Sequence, residues 1–128
     1  MEDQREIRDG TLTIRAMDGD AVLTLTVTGE LDLANVATLA TELETAERSS
    51  HAITLDMSEL EFIDSTGIAL LVSAHRRLNQ NGDRFRLIPS EASAVQRVMT
   101  VTGLNAKLPF VSLRPTAREN ELPPSADR

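Results

Sequence analysis

The chain has no cysteine and only two histidines among its 128 residues. No disulfide, thiolate nucleophile or cysteine-based zinc site can form, and a dedicated metal site is not expected. Its six glycines are scattered, without the G-x-x-x-x-G-K-[ST] or G-x-G-x-x-G runs whose backbone amides cradle phosphates. Nucleotide binding is therefore unsupported, and no cofactor is assigned. Long apolar runs are missing too: none approaches the roughly 20 residues that cross a bilayer. The start Met1-Glu2-Asp3-Gln4-Arg5-Glu6 lacks the apolar centre of a signal peptide. The expected location is the cytoplasm, with no membrane partner. Positive charge is also scarce, 13 basic side chains against 20 acidic for a net charge of −7. Such a field repels a nucleic-acid backbone and anionic lipid alike, so no nucleic-acid partner is expected.

Catalytic pairs are absent in the same way. A serine nucleophile needs a base within hydrogen-bond reach and is usually presented on a G-x-S-x-G elbow. Two positions before Ser65 stands Ile63. His75 follows Ser65 on one helix, roughly 15 Å away at 1.5 Å per residue, so it cannot be that base. It falls on the apolar stripe of the helix, and a packed or half-exposed role is the simpler reading. His51, beside two serines, reads as a surface-loop residue. Asp64-Ser65-Thr66 has a faint likeness to the catalytic turn of aspartic proteases, but that chemistry takes two carboxylates sharing a proton. No second such turn exists. No catalytic residue is assigned, and the chain is not expected to be an enzyme.

What is present is the pattern of one α/β domain, long enough for a real core and too short for two ordinary units. Residues 1–9 are nearly all polar and read as a flexible lead-in. Thr11 to Ala16 alternates apolar with polar, as a half-buried strand does. Asp18-Gly19-Asp20 supplies a tight turn. Val22 to Thr28 then resumes the alternation with Leu23, Leu25 and Val27 on one face, completing an antiparallel hairpin. Gly29-Glu30-Leu31-Asp32 leads into a helix with Val36, Leu39, Ala40, Leu43 and Ala46 on its apolar stripe, and Asp32 is placed as its cap or near-cap. Ala52 to Met57 reads as a third strand. A further helix and the strand Arg84–Ile88 imply a crossover and parallel pairing. Ser90 is placed as the cap of a third helix carrying Val95, Val98 and Met99, and Leu108 to Leu113 as a short last strand. Arg114 to Arg128 has the composition of a disordered tail. The order is β-β-α-β-α-β-α-β, a mixed sheet packed by helices whose single apolar stripes each need a partner face.

The stretch from Leu60 to Leu78 organises the rest. It ends a strand-like apolar segment, crosses Asp64-Ser65-Thr66-Gly67, and continues with Ile68, Leu71, Val72, His75 and Leu78 on one helical face. Asp and Ser at a helix start accept the unpaired amides of the first turn, where the helix dipole is positive. Taken alone, the four residues describe a capped helix. The segment closely resembles the signature of the STAS domain of anti-sigma factor antagonists, in which an Asp-Ser-Ser-Gly or Asp-Ser-Thr-Gly turn precedes a helix. Gly29-Glu30-Leu31-Asp32 is similar to another block of these domains, and the element order resembles theirs over residues 10–113.

The resemblance implies that Ser65 is phosphorylated by a partner anti-sigma factor serine kinase, with Thr66 as an alternative acceptor. It also implies a partner surface made of Glu30, Asp32, Asp64, Ser65, Thr66 and Gly67. Asp32 has a purely structural reading beside this one, and Gly67 either admits a partner's close approach or packs tightly on the sheet. On the same resemblance, the unphosphorylated chain binds the kinase and frees a sigma factor, phosphorylation releases the chain, and a PP2C-type phosphatase restores it. The alternative is a STAS scaffold or transporter-associated interaction subunit whose serine turn is only a cap.

Overall fold

The alternating segments of the chain build a sheet, and the helices with their apolar stripes cover it. The structure, a computed structural model, describes residues 3–49 and 52–111. Strands β1 (Asp3–Asp9), β2 (Leu12–Asp18), β3 (Val22–Leu31), β4 (Ala52–Ile63) and β5 (Phe85–Ile88) lie in that order. β1, β2 and β3 pair antiparallel, whereas β3, β4 and β5 pair parallel. Helices α1 (Val36–Arg48), α2 (Ser65–Leu78) and α3 (Ser93–Val101) fill the connections, and a short 3-10 turn, Leu104–Ala106, follows.

Cross-strand register puts Ile14 beside Val27, Leu25 beside Leu55 and Leu55 beside Leu87. These residues and their alternate neighbours are buried together with Leu39, Leu43 and Ala46 of α1 and Leu71, Ala74 and Leu78 of α2. Each large side chain taken from water in this way contributes about 1.5–3 kcal/mol. The mixed sheet packed by helices is the architecture the sequence patterns call for.

Several boundaries differ from the expectation, each for a physical reason. The lead-in is strand β1 from Asp3 onward, paired along its length with β2. Its one apolar side chain, Ile7, packs on the core, and Arg5 pairs with Glu42 of α1 at 2.9 Å. An edge strand shows one flank to water, so polar composition does not forbid it. Met1 and Glu2 lie outside the described residues.

β4 runs past Met57 to Ile63 because two register shifts against β3, between Thr26 and Thr28 and between Gly29 and Glu30, each insert an extra residue. Its inward side chains after Met57 are Leu60 and Ile63, so the period of two that marks a strand is lost. The expected strand Leu108–Leu113 reduces to a parallel bridge between Leu87 and Phe110. Ser112, Leu113 and the expected tail, residues 114–128, lie outside the described residues.

Two caps also move. α1 begins after Asn35, while Asp32 stands three residues earlier, its carbonyl accepting from the amides of Asn35 and Val36 at 3.1 and 2.8 Å. Ser90 precedes α3 by a turn instead of capping it. Its hydroxyl donates to the Leu60 carbonyl at 2.6 Å and accepts from the Ala92 amide at 3.0 Å.

Candidate functional site

The start of α2 lies at the C-terminal ends of β3 and β4. Asp64 leaves β4 in an extended conformation and caps the helix. Its Oδ1 accepts from the amides of Thr66 at 2.9 Å and Gly67 at 3.2 Å, and from the Thr66 hydroxyl. Its Oδ2 accepts from the Leu33 amide at 3.0 Å, and its own amide donates to the Leu31 carbonyl at 3.1 Å. One carboxylate thus joins the first turn of α2 to the loop between β3 and α1. The Thr66 hydroxyl first, then the amides of Gly67, Leu33 and Thr66, favour the ionised form over the opposing effect of partial burial. They hold the Asp64 carboxyl below the ordinary carboxylate value.

Asp64 makes the cap, and Ser65 is left over. Ser65 is the first residue of α2, it is exposed, and its hydroxyl has no hydrogen-bond partner among the described residues. Thr66 differs in both respects, being half-buried with its hydroxyl donated to Asp64. Gly67 is buried: an added Cβ would stand 2.7 Å from Ile63 Cγ1 and 3.0 Å from Leu31 Cγ and Cδ2. Of its two readings the structure supports close packing of helix on sheet, and Gly67 offers no open face to a partner.

Glu30 stands at the end of β3 and Asp32 in the loop that follows, which the Asp64–Leu33 bond fastens to the Ser65 turn. The Asp32 carboxylate accepts from the Ala34 amide at 3.0 Å, an intraloop bond, and both side chains are half-buried. The loop is braced from inside by Asn35, 2% exposed, whose side chain donates to the Glu30 carbonyl at 2.9 Å and accepts from the Asp32 amide at 3.0 Å. Sequence reasoning passed over Asn35, although an Asn directly before a helical stripe is a recognised capping signal. It also passed over Leu33 and Phe62, which are 74% and 44% exposed beside the same turn. His75 lies in the last turn of α2, where its Nδ1 faces the Asn79 amide at 3.0 Å.

Among the described residues no group of three or more acidic, histidine or cysteine side chains is placed to hold a metal, and no helix is long and apolar enough to cross a membrane.

This arrangement has counterparts. A family model described as "Mlab, STAS domain" matches residues 5–113. An anti-sigma-B factor antagonist of Staphylococcus epidermidis is 30% identical over 94 residues, covering 73% of this chain and 86% of that protein. The crystal structure of an anti-sigma factor antagonist from Mycobacterium paratuberculosis superposes with a TM-score of 0.69 at 25% identity, over 77% of this chain and 84% of that one. SpoIIAA, the Bacillus anti-sigma factor antagonist, shares the fold in its unphosphorylated form, with a TM-score of 0.67 at 20% identity over 84% of this chain and 93% of that one. The chain belongs to the STAS-domain family of anti-sigma factor antagonists.

Proposed function

We propose that the unphosphorylated chain binds an anti-sigma factor serine kinase, so freeing a sigma factor, and that phosphorylation of Ser65 by that kinase switches it off. A PP2C-type phosphatase returns it to the binding form. The observation that carries this reading is the exposed Ser65 hydroxyl, without a hydrogen-bond partner among the described residues, beside a cap that Asp64 makes without it. A serine that served only as a cap would be spending its oxygen on the helix.

Energetics favour a switch that leaves the fold alone. A phosphate adds close to two negative charges, and at an exposed helix N-terminus these gain about 0.3–1 kcal/mol from the local amides. Docking against a partner must desolvate that dianion, and an uncompensated buried charge costs several kcal/mol. The carboxylates of Glu61 and Asp64 add repulsion. At about 1.4 kcal/mol per factor of ten, a loss of 100-fold or more follows without unfolding. Glu30, Asp32 and the Asp64–Thr66 turn form the partner-facing surface in this reading, and Thr66, already committed to Asp64, is the weaker acceptor.

The test is incubation with candidate anti-sigma factor kinases and ATP, followed by mass mapping. One phosphate at Ser65, absent in Ser65→Ala, is the expected result. A modified site elsewhere, or unchanged partner binding by Ser65→Asp, overturns the mechanism. Recovery of transporter components in place of a kinase would favour the scaffold alternative.

A further inference from the structure

Five large apolar side chains stand exposed among the described residues: Met17, Val22, Leu33, Phe62 and Val101. Met17 and Val22 belong to the β2–β3 hairpin, and Val101 ends α3. The backbones that carry the other two both lead to Asp64. Leu33 gives its amide to the Asp64 carboxylate, and Phe62 lies two residues before Asp64 in β4, beside Glu30 in the β3–β4 register.

Leu33 is held outward by its surroundings. Its own amide is fixed, the Ala34 amide is tied to Asp32, and Asn35 is anchored inside the loop. The backbone is therefore not free to fold that leucine onto the core. Phe62 is held by the strand, paired with Glu30 just after the second bulge and followed by Ile63, which is buried in the core while Phe62 stays exposed. The chain has three phenylalanines. Phe85 is buried, Phe110 is half-buried, and the most exposed of them is next to the Ser65 turn. Rigid apolar side chains, aromatic ones especially, are what binding hot spots are made of, and presetting their geometry reduces the ordering cost of association.

We infer that Leu33 and Phe62 are the two apolar anchors of the docking surface, and that the partner protein receives them in an apolar depression with a basic rim. The rim follows from charge, because Glu30, Asp32, Glu61 and Asp64 lie within a few residues of the anchors along β3, β4 and their following turns. The inference rests on the reading of Ser65 as the switch, to which it adds a division of labour. The anchors supply affinity, and the Ser65 turn decides whether that affinity can be used.

The experiment measures dissociation constants by calorimetry, and Ser65 phosphorylation kinetics, with the purified kinase that modifies the wild type. Leu33→Ala and Phe62→Ala should each weaken binding tenfold or more and raise KM for phosphorylation with kcat nearly unchanged. Val101→Ala, at an apolar side chain as exposed as Leu33 but at the end of α3, should bind as wild type. Glu61→Gln should slow association and flatten its salt dependence. Anchor variants that bind as wild type while Ser65→Asp does not would overturn the anchors and leave the switch standing. A purified anti-sigma factor that never modifies Ser65, yet loses tenfold in affinity on Leu33→Ala and on Phe62→Ala, would keep the anchors and remove the switch.

Discussion

Two serines follow two neighbouring parallel strands, Ser65 after β4 and Ser90 after β5, and each stands near the start of a helix. Their hydroxyls have opposite fates. Ser90 is 3% exposed and uses its oxygen twice, donating to Leu60 and accepting from Ala92. Ser65 is exposed and uses its oxygen for nothing among the described residues. The residue in front accounts for the difference. Asp64 satisfies the amides at the start of α2, whereas Pro89 has no side-chain acceptor to offer. A hydroxyl is free for chemistry where a neighbour has taken over its structural duty.

The sharpest way to break this contrast is to load each serine and read both stability and binding. Ser65→Asp should weaken the partner complex 100-fold or more, about 2.7 kcal/mol, with a melting temperature close to wild type. Ser90→Ala should do the reverse. It strips a buried carbonyl of its donor, at a cost of about 1–3 kcal/mol in chemical denaturation, while the folded protein keeps its affinity. Loss of binding by a fully folded Ser90→Ala would erase the division between a serine that builds and a serine that signals.

Gly67 sharpens the comparison one step further along α2. In Gly67→Ala the new methyl meets Ile63 Cγ1 at 2.7 Å, and overpacking of this kind costs about 1–3 kcal/mol. Better helix propensity returns about 1 kcal/mol, so a net loss of about 1 kcal/mol is expected. Ile63→Ala removes the nearest obstructing atom and leaves Leu31 at 3.0 Å, so in that background Gly67→Ala should cost less than in the wild type. A loss of the same size in both backgrounds would show that the glycine serves something other than packing.

How far the sequence could be read follows from which signals are local. The hairpin, the stripes of α1 and α2 and the capping turn at Asp64 all rest on patterns within a few residues, and they stand in the structure. β1 was hidden because a water-facing edge needs only Ile7 to attach it. The end of β4 was hidden because its bulges space Met57, Leu60 and Ile63 by threes. At the site, the Asp64 cap was legible, but its bond to Leu33, 31 residues earlier, was not. The inward roles of Asn35 and Ser90 likewise depend on the Glu30 and Leu60 carbonyls, brought near only by folding.

The smallest expected effect concerns the charge of Asp64, read through its pH dependence. Asn is as good a cap as Asp, so Asp64→Asn keeps Oδ1 as acceptor for the Thr66 and Gly67 amides, while it removes the negative charge and puts an NH2, which cannot accept, where Oδ2 takes the Leu33 amide. The native hydrogen bonds hold the Asp64 carboxyl below its ordinary value of 3.8, so the unfolded chain binds the proton more readily than the folded one. Stability from this group is therefore complete at neutral pH, begins to fall as the pH approaches that ordinary value, and is gone once the pH drops below the folded one. Urea midpoints of wild type and Asp64→Asn should differ modestly at pH 7, and the difference should begin to shrink as the pH falls below about 4. A gap that persists unchanged into acid would mean that the carboxylate contributes geometry alone. The Ser65 turn would then differ from the Ser90 turn in whether the serine oxygen is used, and in nothing electrostatic.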